Sequence, residues 1–219
     1  MTGFGSPCKA TALEPYERNR CAKRVMSLCR EKGYRLETSI MAVNILDKLL
    51  TLAGPKFLPS DTLKISQVPV IVTTVTILAA KLEQPMTPSI NRMIKLLTVD
   101  EERYVDKAKV ISMEATIIKL FSFEFGFLSP LTFLERFLRL IDFQVETSST
   151  FQGSGYFAAA RPSLLLYPVA ADVLKYLLTK CELFWGRQPS LVAAAILQVA
   201  QRVLRSVPSQ LPPLAIKWV

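Results

Sequence analysis

The sequence predicts an all-α protein. Long stretches place apolar residues at the three- and four-residue spacing of an amphipathic helix, and Thr-Pro and Ser-Pro pairs stand where such helices would begin. No stretch between them is a convincing strand. Half of the 219 residues are apolar, which is enough for a substantial core. We therefore expect a helical protein of one large or two small domains.

The first two predicted helices run from about Glu14 to Lys32 and from Leu36 to Leu52. A glycine follows the first helix, and the Gly54-Pro55 pair follows the second, so both carry stop signals. The second helix has a broad apolar face. Its charged residues Asp47 and Lys48 are expected to stay solvated.

The third predicted helix, from Gln67 to Gln84, is ambiguous in sequence. Its centre, Val70 to Ile77, is mostly β-branched and would also suit a strand. The segment is longer than a typical strand of about 5 to 6 residues. A helix that is apolar on nearly all sides is typical of the centre of a helical domain. We therefore predict a buried helix.

Further helices follow, each with a start signal or an apolar face. Their predicted extents are Pro88 to Leu97, with Thr87 as N-cap, Val99 to about Leu120, Leu131 to Ile141 after Ser129-Pro130, about Val169 to Phe184, and Pro189 to Ser206. Prolines at 208, 212 and 213 are expected to end regular structure.

The predicted domain organisation is a short tail, 1–15, and two helical units, 16–127 and 128–219. The second unit contains an expanded loop, 144–168, that is rich in Ser, Thr and Gly. A connection of this length is unusual in a compact helical domain. Short ordered pieces within the loop are expected around Ala158–Ala160 and Leu164–Leu166.

Composition excludes several classes of enzyme. The chain has no histidine, which removes His-based triads, His metal ligands and imidazole proton shuttles. Its four cysteines lack CxxC spacing, so we expect free thiols, no metal site and a reducing compartment. The net charge of +9 suits an acidic partner but selects none. No Gly-rich phosphate loop is present, and no enzymatic activity or cofactor is expected.

The N-terminus lacks the order of a signal peptide, and the most apolar run, Val68 to Ala80, is shorter than the roughly 20 residues that a membrane span needs. The sequence therefore predicts a soluble, intracellular protein, nuclear, cytoplasmic or both.

Four segments carry motif-like patterns in a fixed order. They are Glu37 to Leu50 (ETxxxAVNxxDxxL), Leu78 to Glu83 (LAAKLE), Ser112 to Phe125 (with Met113-Glu114 and a terminal FSFEF) and Arg187 to Ala195 (RQPSLVAAA). The first three resemble motifs of the first cyclin repeat, and the fourth resembles a helix start in the second. The resemblance covers about Arg20 to Leu204 and is weaker in the second repeat. It implies a cyclin fold with two helical cyclin-like repeats, the second divergent or truncated. Relative to the family, either the second repeat is truncated, or the loop supplies replacement helices from Ala158–Ala160 and Leu164–Leu166.

The resemblance also implies a function and a site. Cyclins are non-catalytic subunits that bind a cyclin-dependent protein kinase and hold its regulatory helix in the active position. The family's lysine and glutamate that match Lys81 and Glu114 bind kinase backbone groups, and charge-assisted hydrogen bonds of this kind are strong. Apolar kinase contacts carry over to the residues Leu82, Ile118, Phe123 and Phe125. The expected partner is thus a kinase rather than nucleic acid, and no membrane or small-molecule substrate is expected.

A structural interpretation competes with this one. Lys81 would also suit a solvated helix end that interacts favourably with the helix dipole, and Glu114 would suit a surface charge. Apolar residues at helical spacing, including Ile118, Phe123 and Phe125, are more often core than interface.

The sequence departs from the family at a substrate-docking patch in the first helix. Many cell-cycle cyclins carry MRAIL followed by a tryptophan there, but this chain has Glu17-Arg18-Asn19-Arg20-Cys21 and Arg24. Only Arg18 agrees, and an apolar groove cannot be built from these residues. Basic residues also cluster between Lys9 and Arg35, which we interpret as a solvated helix face rather than an anion site.

Two other functions remain open. A DNA-bound transcription-initiation factor also resembles paired cyclin repeats and is usually basic, and its binding would depend steeply on salt. A scaffold that binds a kinase without activating it is the other. A cell-cycle role and a transcriptional role, with any of several kinases, are both compatible with the sequence.

Overall fold

The computed structural model describes residues 15–57, 67–86, 88–149, 161–180, 183 and 186–206. Every regular element within these ranges is helical, which confirms the all-α prediction. The helices are α1 (Pro15–Glu31), α2 (Leu36–Phe57), α3 (Val68–Glu83), α4 (Ile90–Ile94), α5 (Val99–Glu102), α6 (Lys107–Leu120), α7 (Pro130–Ser149), α8 (Pro162–Leu178) and α9 (Pro189–Ser206).

These residues form two compact units. The first takes its described residues from the chain up to Phe127 and from Leu178 to Gly186. The second takes them from Leu128 to Leu177 and from Arg187 onward. The described residues between Leu178 and Gly186, which fall within the predicted second repeat, 128–219, thus belong to the first unit.

Helix α3 is the centre of the first unit and packs against α1, α2 and α6. All residues from Pro69 to Ala80 are buried, which confirms the buried helix that the sequence predicted. Two of its three buried threonines, Thr74 and Thr76, satisfy their hydroxyls by bonding within the helix, whereas Thr73 Oγ1 has no hydrogen-bond partner within the described residues. Thr74 Oγ1 donates to the carbonyl of Val70, and Thr76 Oγ1 donates to that of Val72, each at 2.7 Å.

A buried ion pair joins α1 to α2. The Nε and Nη2 atoms of Arg18 donate to the two carboxylate oxygens of Asp47, at 2.7 and 2.6 Å. Arg18 is fully buried and also donates to the carbonyl of Leu178, at 2.6 Å. The expectation that Asp47 stays solvated is thus wrong, because Arg18 compensates its charge in the core. Lys48 is only 27% exposed and is likewise engaged with other residues, as described below.

The segment between α4 and α6 differs from its prediction as a continuous helix. Helix α5 ends at Glu102, and α6 begins after Asp106, whose side chain accepts the backbone N–H of Lys109 at 2.7 Å. A carboxylate that caps a new helix start competes with continuation of the preceding helix. Helix α4 is also shorter than expected, and its proposed cap, Thr87, lies outside the described residues.

A capping box begins α5 and ties it to α1. The Thr98 hydroxyl and the Glu101 carboxylate each accept the other residue's backbone N–H. Glu101 also accepts two hydrogen bonds from Arg24, at 2.9 and 2.6 Å. Partial burial would raise the pKa of Glu101, but these bonds from Arg24 and Thr98 outweigh it and hold the pKa below the ordinary value of 4.5.

This lowered pKa predicts a pH-dependent contribution to stability. Because the folded-state pKa lies below the unfolded one, the contribution of Glu101 is complete above pH 4.5 and is lost as pH falls through the folded-state pKa. Glu101→Gln should lower the free energy of unfolding near neutral pH by about 1 kcal/mol or less, since the pair is partly exposed. Urea denaturation at decreasing pH should show the difference from wild type shrinking.

Glu102→Gln is the matched control, because Glu102 is exposed and forms no ion pair within the described residues. Its difference from wild type should stay near zero at every pH. If the Glu101→Gln and wild-type curves run parallel into acid, the network does not contribute as described.

The second unit consists of α7, α8 and α9, with α7 packed against α9. The extent of α9 confirms its prediction. The predicted loop 144–168 is too long, because α7 continues to Ser149 and α8 already begins at Pro162. Asp142 explains this early start, since its carboxylate accepts the Ser163 backbone N–H at 3.0 Å and so caps α8 from α7.

Two prolines lie inside helices where the sequence predicted breaks. Pro168 is within α8, and its missing donor affects the carbonyl of Leu164. Both residues are exposed, so water can satisfy that carbonyl. Helix α2 runs through Gly54-Pro55 to Phe57, where the missing donor affects only the last turn. Residues 150–160, including the predicted Ala158–Ala160 piece, and the prolines after Ser206 lie outside the described residues.

The described cysteines, Cys21 and Cys29 of α1, are buried free thiols. Burial raises the pKa of both to about 11, and for Cys21 the charge of Glu17 adds to the effect. Such thiols are unreactive near neutral pH. The expectation of free thiols is confirmed for these two, whereas Cys8 and Cys181 lie outside the described residues.

Candidate partner-binding site

Lys81 stands where the buried helix α3 reaches the surface. The residues that precede it are buried without interruption from Pro69 to Ala80, whereas the Lys81 side chain is 33% exposed. It lies in the last turn, where a cation interacts favourably with the helix dipole. Packing of α3 on the neighbouring helices therefore fixes the position of the helix end that carries this ammonium group.

Glu114 lies on α6, which packs directly on α3. Its carboxylate Oε1 accepts a hydrogen bond from Lys81 Nζ at 2.5 Å, and its side chain is 12% exposed. The structure thus brings together the two charged residues that the sequence singled out, 33 positions apart. In the free protein they form an ion pair with each other.

The apolar site residues near this pair are partly accessible. Leu82 follows Lys81 in the chain and is 47% exposed. Ile118 is half-buried and lies one turn after Glu114 on the same face of α6. Ile111, which was not predicted from the sequence, shares that face three residues before Glu114 and is 48% exposed. The helical spacing from Glu114 was the signal that could have found it.

Phe123 lies in a tight turn immediately after α6. Its φ is 64°, and that of Ser122 is 50°, so two consecutive non-glycine residues adopt the left-handed conformation. Such backbone is rare for side chains of this size. The Phe123 side chain is 76% exposed. The turn therefore presents a large apolar side chain to solvent.

Phe125 differs from Phe123 because part of its surface is used inside the protein. Its ring centroid lies 5.4 Å from that of Phe121, which is only 2% exposed. Phe125 is half-buried, so it packs on the core while keeping some surface accessible. Its position supports the packing role that the structural interpretation gave it.

The positions that match the family's docking patch lie on α1 and are polar or buried. Arg18 is buried in the ion pair with Asp47, and Cys21 is 3% exposed. Arg24 is bonded to Glu101, and Arg20 is exposed. These residues do not form an apolar groove. Two residues of the early basic cluster, Arg18 and Arg24, already pair with carboxylates of the protein. This argues against the cluster as a site for an external anion.

Other kinds of site find no support in the part of the chain that the structure describes. No three Cys, Asp or Glu side chains in it come together as a metal site. None of its helices has the length and apolar character to cross a membrane.

A family model supports the resemblance. The model described as the cyclin N-terminal domain matches residues 5–126, which is more than half of the chain, and this range contains both Lys81 and Glu114. No curated protein sequence matches the chain. Together with the all-helical architecture, the match confirms the predicted cyclin fold. The chain belongs to the cyclin-box family.

Proposed function

We propose that this protein is a non-catalytic subunit that binds a cyclin-dependent protein kinase and activates it by holding the kinase's regulatory helix in its active position. The observation that carries the proposal is the Lys81–Glu114 pair at the exposed edge of α3 and α6. The proposal requires an intracellular protein, in the nucleus, the cytoplasm or both.

The pair is better suited to recognition than to stabilising the fold. A partly exposed ion pair contributes about 0 to 1 kcal/mol to stability. Within the described residues, the Lys81 ammonium and the Glu114 carboxylate bond only to each other. Two ammonium hydrogens and the Oε2 atom therefore remain for a partner. A backbone carbonyl and a backbone N–H of the kinase are groups that these atoms can bind.

Exposed apolar side chains on or directly after the same two helices support the same use. Leu82 follows Lys81, Ile111 precedes Glu114 by one turn of α6, and Phe123 lies in the turn after α6; each is about half exposed or more, and exposed apolar patches are typical of interaction sites. Burying them around the charged pair would exclude water and strengthen its hydrogen bonds. Aromatic anchors of this kind dominate many protein interfaces.

The test combines binding and activity. The variant Lys81→Ala/Glu114→Ala and the wild type are each co-expressed with individual cyclin-dependent kinases, and co-purification and substrate phosphorylation are measured. Both should be lost in the variant, because the partner groups on the kinase lose their charged bonds. Helical circular dichroism should stay unchanged.

The matched control is Asp172→Ala/Lys175→Ala, which removes another lysine–carboxylate pair, an exposed one on α8 of the second unit. This control should bind and activate like the wild type. Unchanged kinase binding by the Lys81→Ala/Glu114→Ala variant would contradict the proposal. Wild-type binding without stimulation indicates a scaffold, and salt-sensitive binding of duplex DNA without kinase binding indicates a transcription factor.

A further inference from the structure

The turn after α6 has a conformation that its own sequence does not favour. The backbone N–H of Phe123 bonds to the carbonyl of Ile118 at 3.2 Å, and that of Ser122 bonds to Lys119 at 3.1 Å. This is the Schellman arrangement, in which glycine usually occupies the left-handed position. Here Ser122 and then Phe123 are left-handed. Left-handed residues of this kind persist only where the surrounding structure holds them.

Lys48, which lies on α2, stabilises the turn through contacts with the residues around it. Its Nζ donates to the backbone carbonyl of Glu124 at 2.8 Å. The same ammonium lies 4.8 Å from the centroid of the Phe121 ring and 5.7 Å from that of Phe127, within cation–π range. Its distance to the Glu124 carboxylate is 3.9 Å. The Lys48 side chain thus contacts Phe121 before the left-handed residues and Glu124 and Phe127 after them.

Packing in the core does not explain the left-handed conformation of Phe123, because its side chain is exposed. Phe121, before the turn, is 2% exposed, whereas Phe123 is 76% exposed. The left-handed backbone at Ser122 and Phe123 therefore accompanies an exposed aromatic side chain, not a buried one. A residue whose backbone is already held in its bound conformation loses less conformational entropy when a partner covers its side chain.

We propose that Lys48 is a positioning residue for the partner-binding surface: it holds the segment from Phe121 to Phe127 so that the backbone of Phe123 is already in the conformation that presents its ring to an apolar pocket of the partner. This inference rests on the proposed function. Lys48 acts through Phe123.

A double-mutant cycle tests this with the kinase that co-purifies with the full-length chain. Lys48→Met keeps most of the side-chain length but removes the hydrogen bond and the charge. It should weaken kinase binding about tenfold in the wild-type background and cause little further loss in a Phe123→Ala background. A merely structural role would give the same loss in both backgrounds, and that result would overturn the inference.

Two further variants separate positioning from stability. Lys48→Arg keeps a cationic donor and should retain most of the affinity. Ser122→Gly removes the steric cost of the left-handed position, so adding it to Lys48→Met should restore part of the lost binding. If Ser122→Gly raises the melting temperature of Lys48→Met without restoring binding, Lys48 only stabilises the fold and the inference is wrong.

The outcomes also distinguish this inference from the function on which it rests. If Lys81→Ala/Glu114→Ala abolishes kinase binding but Lys48→Met leaves it unchanged, the function stands and the positioning role fails. If no cyclin-dependent kinase binds the wild type, both fail.

Discussion

Replacing Arg18 by alanine is expected to lower the free energy of unfolding by about 3–5 kcal/mol, because it leaves the Asp47 carboxylate uncompensated in the core. Arg18 is fully buried, and it donates to both carboxylate oxygens of Asp47 and to the carbonyl of Leu178. Arg18 and Asp47 are the only buried charged residues among the described residues of α1 and α2. A loss of this size removes a large part of the stability of a typical domain.

Urea denaturation of Arg18→Ala and the wild type measures this loss. Arg24→Ala is the control, because Arg24 lies on the same helix and also binds a carboxylate with two nitrogens. Its side chain is 21% exposed and that of Glu101 is 23% exposed, so water can replace the lost bonds. We expect it to cost about 1 kcal/mol. Equal losses in the two variants would show that burial of the Arg18 pair does not have the predicted effect.

Helix type and much of the helix content could be predicted from local patterns. The run from Gln67 to Gln84 illustrates this, because its length and apolar content outweighed its β-branched residues. The Thr74 and Thr76 hydroxyls make that outcome possible by bonding within the helix. Lys81 and Glu114 were found through a resemblance to a family, and only the structure shows that they bond to each other.

Pairings between distant residues could not be predicted. Asp47 was expected to be solvated because its partner Arg18 lies 29 positions away, and no local pattern identifies that partner. The helix predicted from Val99 breaks before α6 because the Asp106 side chain caps a new helix start. The left-handed turn at Ser122 carries no glycine, so its usual sequence signal is absent. Each feature depends on tertiary contacts that local propensity does not contain.

Exchanging the two charges of the site is expected to abolish kinase binding while leaving the fold intact. In the variant Lys81→Glu/Glu114→Lys, the ion pair can form again with its polarity reversed. The free energy of unfolding should change by about 1 kcal/mol or less. Kinase affinity should fall at least roughly thirtyfold, because the kinase's donor and acceptor each meet a group of the wrong kind.

Calorimetric titration of the kinase that co-purifies with the wild type measures the affinity, and thermal denaturation in parallel reports the fold. The matched control exchanges the charges of the exposed α8 pair, as Asp172→Lys/Lys175→Asp. It should bind the kinase like the wild type. Wild-type affinity in the Lys81→Glu/Glu114→Lys variant would contradict direct recognition by the pair.

The exchange separates the two interpretations of Lys81 more sharply than removal of the charges does. If Lys81 were only a helix end that interacts favourably with the dipole, a glutamate there would cost about 0.3–1 kcal/mol of stability and leave binding untouched. If the pair recognises the kinase, the exchange keeps the attraction between α3 and α6. It reverses only the positions of the positive and negative groups that the kinase contacts. Loss of affinity with a nearly unchanged melting temperature therefore assigns recognition to the Lys81 ammonium and the Glu114 carboxylate.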